Sequence, residues 1–149
     1  MVAKKKFKYQ FNSDIRALNN HIDEIIKVLK NWVFDEKEIY YLELIIVELL
    51  NNAIIHGNNN DPLKKVFVNM ELVDNMIKIE VIDEGDIFEL NIPNYVSPLS
   101  DCGRGLYLVS KLVDNINILK DKAKKVVVYK KIKKGKSRSE PISPTCFCL

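Results

Sequence analysis

Glu48, Asn52 and His56 stand four residues apart, and on a helix residues at that spacing stack on one face. A carboxylate and a carboxamide one turn apart can hold a hard cation, or a reacting water, from the same side. Leu49, Ala53 and, earlier in the same stretch, Ile39, Leu42 and Ile46 fall on a different face at 3-4 spacing. The segment therefore predicts one helix with a core stripe and, beside it, a row of acid, amide and imidazole.

Two further stretches could serve such a row. Residues 76–83 end in Asp83-Glu84-Gly85, an acid at a strand end followed by a glycine. Gly103-Arg104-Gly105 precedes Leu106, Val109, Leu112 and Val113, the apolar stripe of a short helix. This is a Gly-x-Gly at a helix start, after a long loop. Each signal alone is weak: Gly-x-Gly is common, Asp-x-Gly is often just a turn, and helical Glu and Asn are most often solvated.

The elements that must position these residues are legible from periodicity. Phe7–Phe11 alternates as a strand. Ser13 reads as an N-cap for a helix over 14–32, whose Ile15, Leu18, Ile22, Ile25, Leu29 and Trp32 make an apolar face. His21 lies off that face with no acid–base partner in view and is expected at the surface. Asp35 to Glu38 resembles a capping box, opening a second helix that runs to about His56 with Gly57 as its C-terminal cap. Asn58–Pro62 is a turn-rich loop, and 65–73 and 76–83 are strands joined by Asp74-Asn75. Residues 86–101 show no periodicity and include Pro93 and Pro98, which reads as a functional loop, a lid. Residues 115–119 and 125–132 are the last strands. The order predicts an α+β fold: a two-layer sandwich, its mostly antiparallel sheet covered on one face by about three helices.

Composition narrows the classes. The chain has 149 residues, 47% apolar, enough for one domain with a core. No apolar run approaches ~20 residues, so no membrane span is expected, and the basic start leads into a strand pattern rather than a signal core. The net charge of +3 sits in residues 133–149, where four basic residues face one acid. Residues 1–132 are left with 19 charges of each sign, a neutral domain before a basic tail expected to be disordered, and not a nucleic-acid surface. Cys102, Cys146 and Cys148 form no metal or disulfide framework. The final Cys-Phe-Cys-Leu formally matches a prenylation box, against the plainer reading of an unstructured end.

Taken together, the order and spacing of Glu48…Asn52, Asp83-x-Gly85 and Gly103-x-Gly105 resemble the N, G1 and G2 boxes of the GHKL ATPase superfamily, which includes gyrase, Hsp90 chaperones, histidine kinases and MutL. Glu48-x-x-x-Asn52-x-Ile54-Ile55-His56-Gly57 and the short length look like the anti-sigma factor serine kinases, over roughly residues 5–132. The resemblance implies an anti-sigma factor with ATP-dependent serine/threonine kinase activity, acting in the cytoplasm on an anti-anti-sigma partner, with ATP and Mg2+ as cofactors. It implies protein partners, a sigma factor and the anti-anti-sigma protein, and a homodimer, with no nucleic acid or membrane.

Residue by residue, the resemblance makes Glu48 the general base and Asn52 the Mg2+ ligand. Asp83 would accept from the adenine amino group, and Gly85 would let the backbone pass close to the base. Gly103, Arg104, Gly105 and Leu106 would form the phosphate-facing junction. Asn51 is one residue out of register with Glu48. His56 is as readily a helix-end residue as a nucleotide contact. Two departures stand out. Ile87 replaces the last glycine of the G1 pattern, a loss some similar anti-sigma kinases share. Before the last strand, Lys124-Lys125-Val126 stands where relatives often carry Gly-Thr. These departures support an alternative, a kinase-inactive module that sequesters a regulator. A detached histidine-kinase domain is disfavoured, because no dimerisation helix with an acceptor histidine precedes the first strand.

Overall fold

The computed structural model describes residues 4–85, 104–120 and 123–133, with Arg104 and Lys120 as backbone only. The expected lid, Ile87, Cys102, Gly103 and the basic tail beyond Lys133 lie outside these residues. Among the described residues five strands form one antiparallel sheet: β1 (Lys4–Asn12), β2 (Lys65–Val73), β3 (Met76–Asp83), β4 (Asn115–Lys120) and β5 (Lys124–Lys131), in the order β1-β2-β3-β5-β4. Among the described residues three α-helices accompany it: α1 (Leu18–Trp32), α2 (Glu36–Asn51) and α3 (Arg104–Leu112). This is the expected α+β architecture.

Alternation along the strands decides which side is core. In β2, Val66, Val68, Met70 and Leu72 are buried, and in β3 Ile77, Ile79, Val81 and Asp83 are. The helices supply Ile25, Leu29, Leu42, Ile45, Ile46 and Leu50, each at 0% exposure. Burial of one such side chain is worth about 1.5–3 kcal/mol. The continuous helical stretch Glu36–Gly57 is long and apolar enough to span a membrane by composition, with a mean hydropathy of 1.3. Ile39, Leu42, Ile45, Ile46, Leu49, Leu50, Ala53 and Ile54 of this stretch instead lie in the core, while Tyr40 and Ile55 are exposed.

Several local expectations are corrected. Ser13 does not cap α1. It is fully buried, its N–H donating to Lys64 O, while Asp14 caps a short 3-10 turn over Ile15–Ala17 by accepting from Arg16 N. His21 is half-buried, 2.7 Å from Tyr9 Oη and stacked on Phe11 at 4.1 Å, and burial pushes its imidazole below the usual value. Asp35 caps α2 as expected, accepting from Lys37 N and Glu38 N. Glu38 turns its carboxylate elsewhere, to Lys133 N at 2.9 Å and Lys130 Nζ at 3.5 Å.

The end of α2 is the largest departure. After Asn51 the chain continues as a π-helix over Asn52–Gly57. Asn58 N donates to Ala53 O at 2.9 Å, the i→i+5 bond of a widened turn. Gly57 is therefore not the expected C-cap. The left-handed residues of the following turn are Asn59 (φ 52°) and Asn60 (φ 54°), both asparagines, which tolerate that region.

Candidate functional site

The site assembles where four chain segments end together: the last turns of α2, the end of β3, the start of β5 and the start of α3. Asn52 N bonds to Glu48 O, so α-helical register holds from Glu48 to Asn52 and the two side chains share a face, as expected. The wider π turn then breaks the stack. His56 is exposed and drops out of the row.

Glu48 lies under the first turn of α3. A Cβ placed on Gly105 would collide with Glu48 Oε2 and stand 3.2 Å from its carboxyl carbon. Glycine at 105 thus lets the helix start close over the carboxylate, which sits at the positive end of the α3 dipole. Leu106, the next residue, is buried in the core and anchors α3 rather than facing outward.

Asp83 closes β3 on its core-facing side and is 1% exposed. Its Oδ1 accepts from Gly85 N at 3.0 Å. Two glycines pack around it. A Cβ on Gly57 would strike the Asp83 carboxylate, and one on Gly85 would strike the backbone of Gly57. Gly85 therefore serves a close approach, though the backbone it meets in this structure is that of Gly57. Asn58, fully buried, fastens this corner: its Nδ2 donates to Lys65 O at 3.0 Å and its Oδ1 accepts from Glu84 N at 2.8 Å.

Lys124 completes the group, and sequence reasoning did not place it there. The β3–β5 register pairs Ile82 with Lys125, so the next position sets Lys124 opposite Asp83 on the core side. Lys124 is 1% exposed. Its Nζ lies 3.1 Å from Asp83 Oδ2 and donates to Asn52 Oδ1 at 3.2 Å. The one signal for it in the sequence is alternation: Lys124, Val126 and Val128 share the buried face of β5. Removing one partner from such a buried pair typically costs about 3–5 kcal/mol.

Glu48, Asn52, Asp83, Gly85 and Gly105 thus converge, with Arg104 opening the helix above them. A cleft of about 230 Å³, lined by Trp32, Phe34, Leu72 and Ile132 among others, lies at the opposite end of α2 and includes none of them. Residues 11–131 match the family of the histidine kinase-like ATPase domain.

The chain belongs to that family. Among curated relatives, this histidine kinase-like ATPase domain is 31% identical over 108 residues to the anti-sigma F factor of Oceanobacillus iheyensis, covering 68% of this chain and 74% of that one. It is 29% identical over 91 residues to the serine-protein kinase RsbW of Bacillus subtilis, covering 54% and 57%. Among solved structures it resembles the RsbU and RsbW domains of a Mycobacterium tuberculosis protein. That match has a TM-score of 0.65 and 18% identity, over 86% of this chain and 32% of the longer one. The last likeness concerns the fold alone.

Proposed function

We propose that this ATPase-family domain is an ATP-dependent protein serine/threonine kinase and anti-sigma factor, working in the cytoplasm by exchanging a sigma factor for an anti-anti-sigma protein that it phosphorylates. The observation that carries the reading is the pair Glu48 and Asn52, one helical turn apart across the end of α2, with the glycine of α3 closed over the carboxylate.

The residues fit a magnesium nucleotide. A buried carboxylate, Asp83, is a hydrogen-bond acceptor suited to an exocyclic amine, which adenine has at its six position. A carboxamide oxygen on Asn52 suits a small hard cation otherwise met by water and phosphate. The N-terminal amides of α3 would face the phosphates, and an arginine at position 104 would supply positive charge to neutralise them.

ATP supplies the γ-phosphoryl group and a diphosphate leaving group. Glu48 would accept the proton of an attacking serine or threonine hydroxyl as the oxygen bonds to phosphorus, within the largely positional chemistry of phosphoryl transfer. Asn52 would orient the cation, and Gly105 keeps the carboxylate at the helix start. The anti-sigma and serine-kinase names of relatives at about 30% identity support the same reading. A homodimer would be its working form.

The test is the Glu48→Gln variant with labelled ATP and candidate anti-anti-sigma proteins. Phosphate transfer should be lost while nucleotide binding stays within a few-fold of the parent. Transfer at the parental rate would remove Glu48 from the role of base. Binding without any transfer in the parent protein would leave a sequestering module instead.

A further inference from the structure

Lys124 is the largest fully buried side chain among the described residues, and a buried ammonium is stable only where acceptors meet it. Among the acceptors it meets are the two oxygens the reading above needs most: Asp83 Oδ2, for the base, and Asn52 Oδ1, for the metal. The lysine is held there by the sheet itself, since the β3–β5 register, whose last pair is Ile82 with Lys125, brings residue 124 alongside residue 83. It arrives from the start of β5, whereas Asn52 arrives from the end of α2. The contact therefore also ties helix to sheet across the site.

An ammonium donating to a carboxamide oxygen and a divalent cation coordinated by that same oxygen exclude one another. The oxygen has two lone pairs, but an ammonium and a divalent cation held on one atom of a buried site repel each other severely. Asp83 is less constrained. A carboxylate offers about four lone-pair directions, of which Gly85 N and Lys124 Nζ take two, so a third donor can be added there.

We propose that Lys124 is a resident cation of the site that competes with the metal for Asn52. Loading with a magnesium nucleotide transfers Asn52 Oδ1 from the ammonium to Mg2+, while Lys124 keeps its ion pair with Asp83. The lysine thereby sets the Mg2+ concentration at which nucleotide binds and raises it. This rests on the nucleotide-site reading and adds a determinant of metal dependence to it.

The experiment is calorimetry of a non-hydrolysable ATP analogue against the full chain over a series of Mg2+ concentrations, for the parent, Lys124→Met and Asn52→Ala. Lys124→Met should bind the analogue at a Mg2+ concentration at least tenfold lower than the parent needs. An unchanged or higher Mg2+ requirement in a folded Lys124→Met protein overturns the proposal. Because loss of the lysine strands Asp83, a second measurement uses the parent sequence. Buried, hydrogen-bonded ammonium groups exchange slowly enough to observe in 15N-lysine spectra, and the Lys124 signal is assigned by its loss in the charge-conserving Lys124→Arg. Without nucleotide, Asn52→Ala should shift that signal, and in the parent Mg2+ with the analogue should shift it likewise, Mg2+ alone having little effect. An unmoved signal on saturation overturns the competition while leaving the site intact. Failure of the parent to bind the analogue at any Mg2+ concentration overturns the nucleotide reading itself, together with the role for Lys124 built on it.

Discussion

Glu48 and Gly105 meet across the α2–α3 junction so closely that a single methyl group on Gly105 would collide with Glu48 Oε2. The glycine sits inside a helix, where alanine is favoured by about 1 kcal/mol. The clash is with the far end of a flexible side chain, not with backbone. Gly105→Ala should therefore keep its melting free energy within about 1 kcal/mol of the parent. Phosphate transfer should fall by at least about tenfold, since general base catalysis depends on where the carboxylate points. Denaturant melts and a transfer assay on one preparation separate the two effects. Loss of stability in step with activity would argue for a packing role alone.

Gly85→Ala should behave differently. The added Cβ would meet the carbonyl group of Gly57, which belongs to the backbone and has no rotamer to change. Overpacking of this kind costs about 1–3 kcal/mol. Because the π segment and the end of β3 must separate to relieve it, analogue binding should weaken alongside stability. A variant as stable as the parent would show that the corner opens freely.

Asn58→Ala should destabilise the same corner from the other side. It strands Glu84 N and Lys65 O, and each unsatisfied group costs about 1–3 kcal/mol where it stays out of water. Urea unfolding gives the cost directly. Hydrogen exchange should show residues 52–58 losing protection first, because the i→i+5 turn ends at Asn58.

His21 gives a pH dependence with a definite sign. Burial holds the folded imidazole below its ordinary value of 6.5. The unfolded chain therefore takes up the proton first as pH falls, and stability is lost between 6.5 and the lower folded value, then levels off for this group. His21→Phe, which preserves the ring on Phe11, should flatten that part of the profile in melts between pH 7.5 and 5. An equally steep profile in the variant would assign the loss to other groups.

Strand and helix positions were legible because their periods are local. The Asp74-Asn75 turn and the alternation on either side fixed both strands of the hairpin at their observed ends, and the capping role of Asp35 was readable from its type and place. Glu48 and Asn52 were legible for the same reason. The π turn was not, since it is set by what Asn58 reaches in β2 and after β3, which no local spacing encodes. Lys124 was hidden more deeply. A lysine at a strand start reads as surface, and only the pairing of β3 with β5 turns it toward Asp83. Glu38 misled in the opposite way: its spacing suited a capping box, but a carboxylate bound to Lys133 N was the better-buried use of it.

That last bond has a practical consequence. Glu38 and Asn52 are 14 positions apart on one continuous helix, about 21 Å at 1.5 Å per residue. The main chain passes Lys133 fastened at the pole of the domain remote from Glu48, Asp83 and Lys124. A fluorophore or a surface tether attached at Lys133 starts on the far side of the domain, so it can report on binding with the candidate site left facing solution.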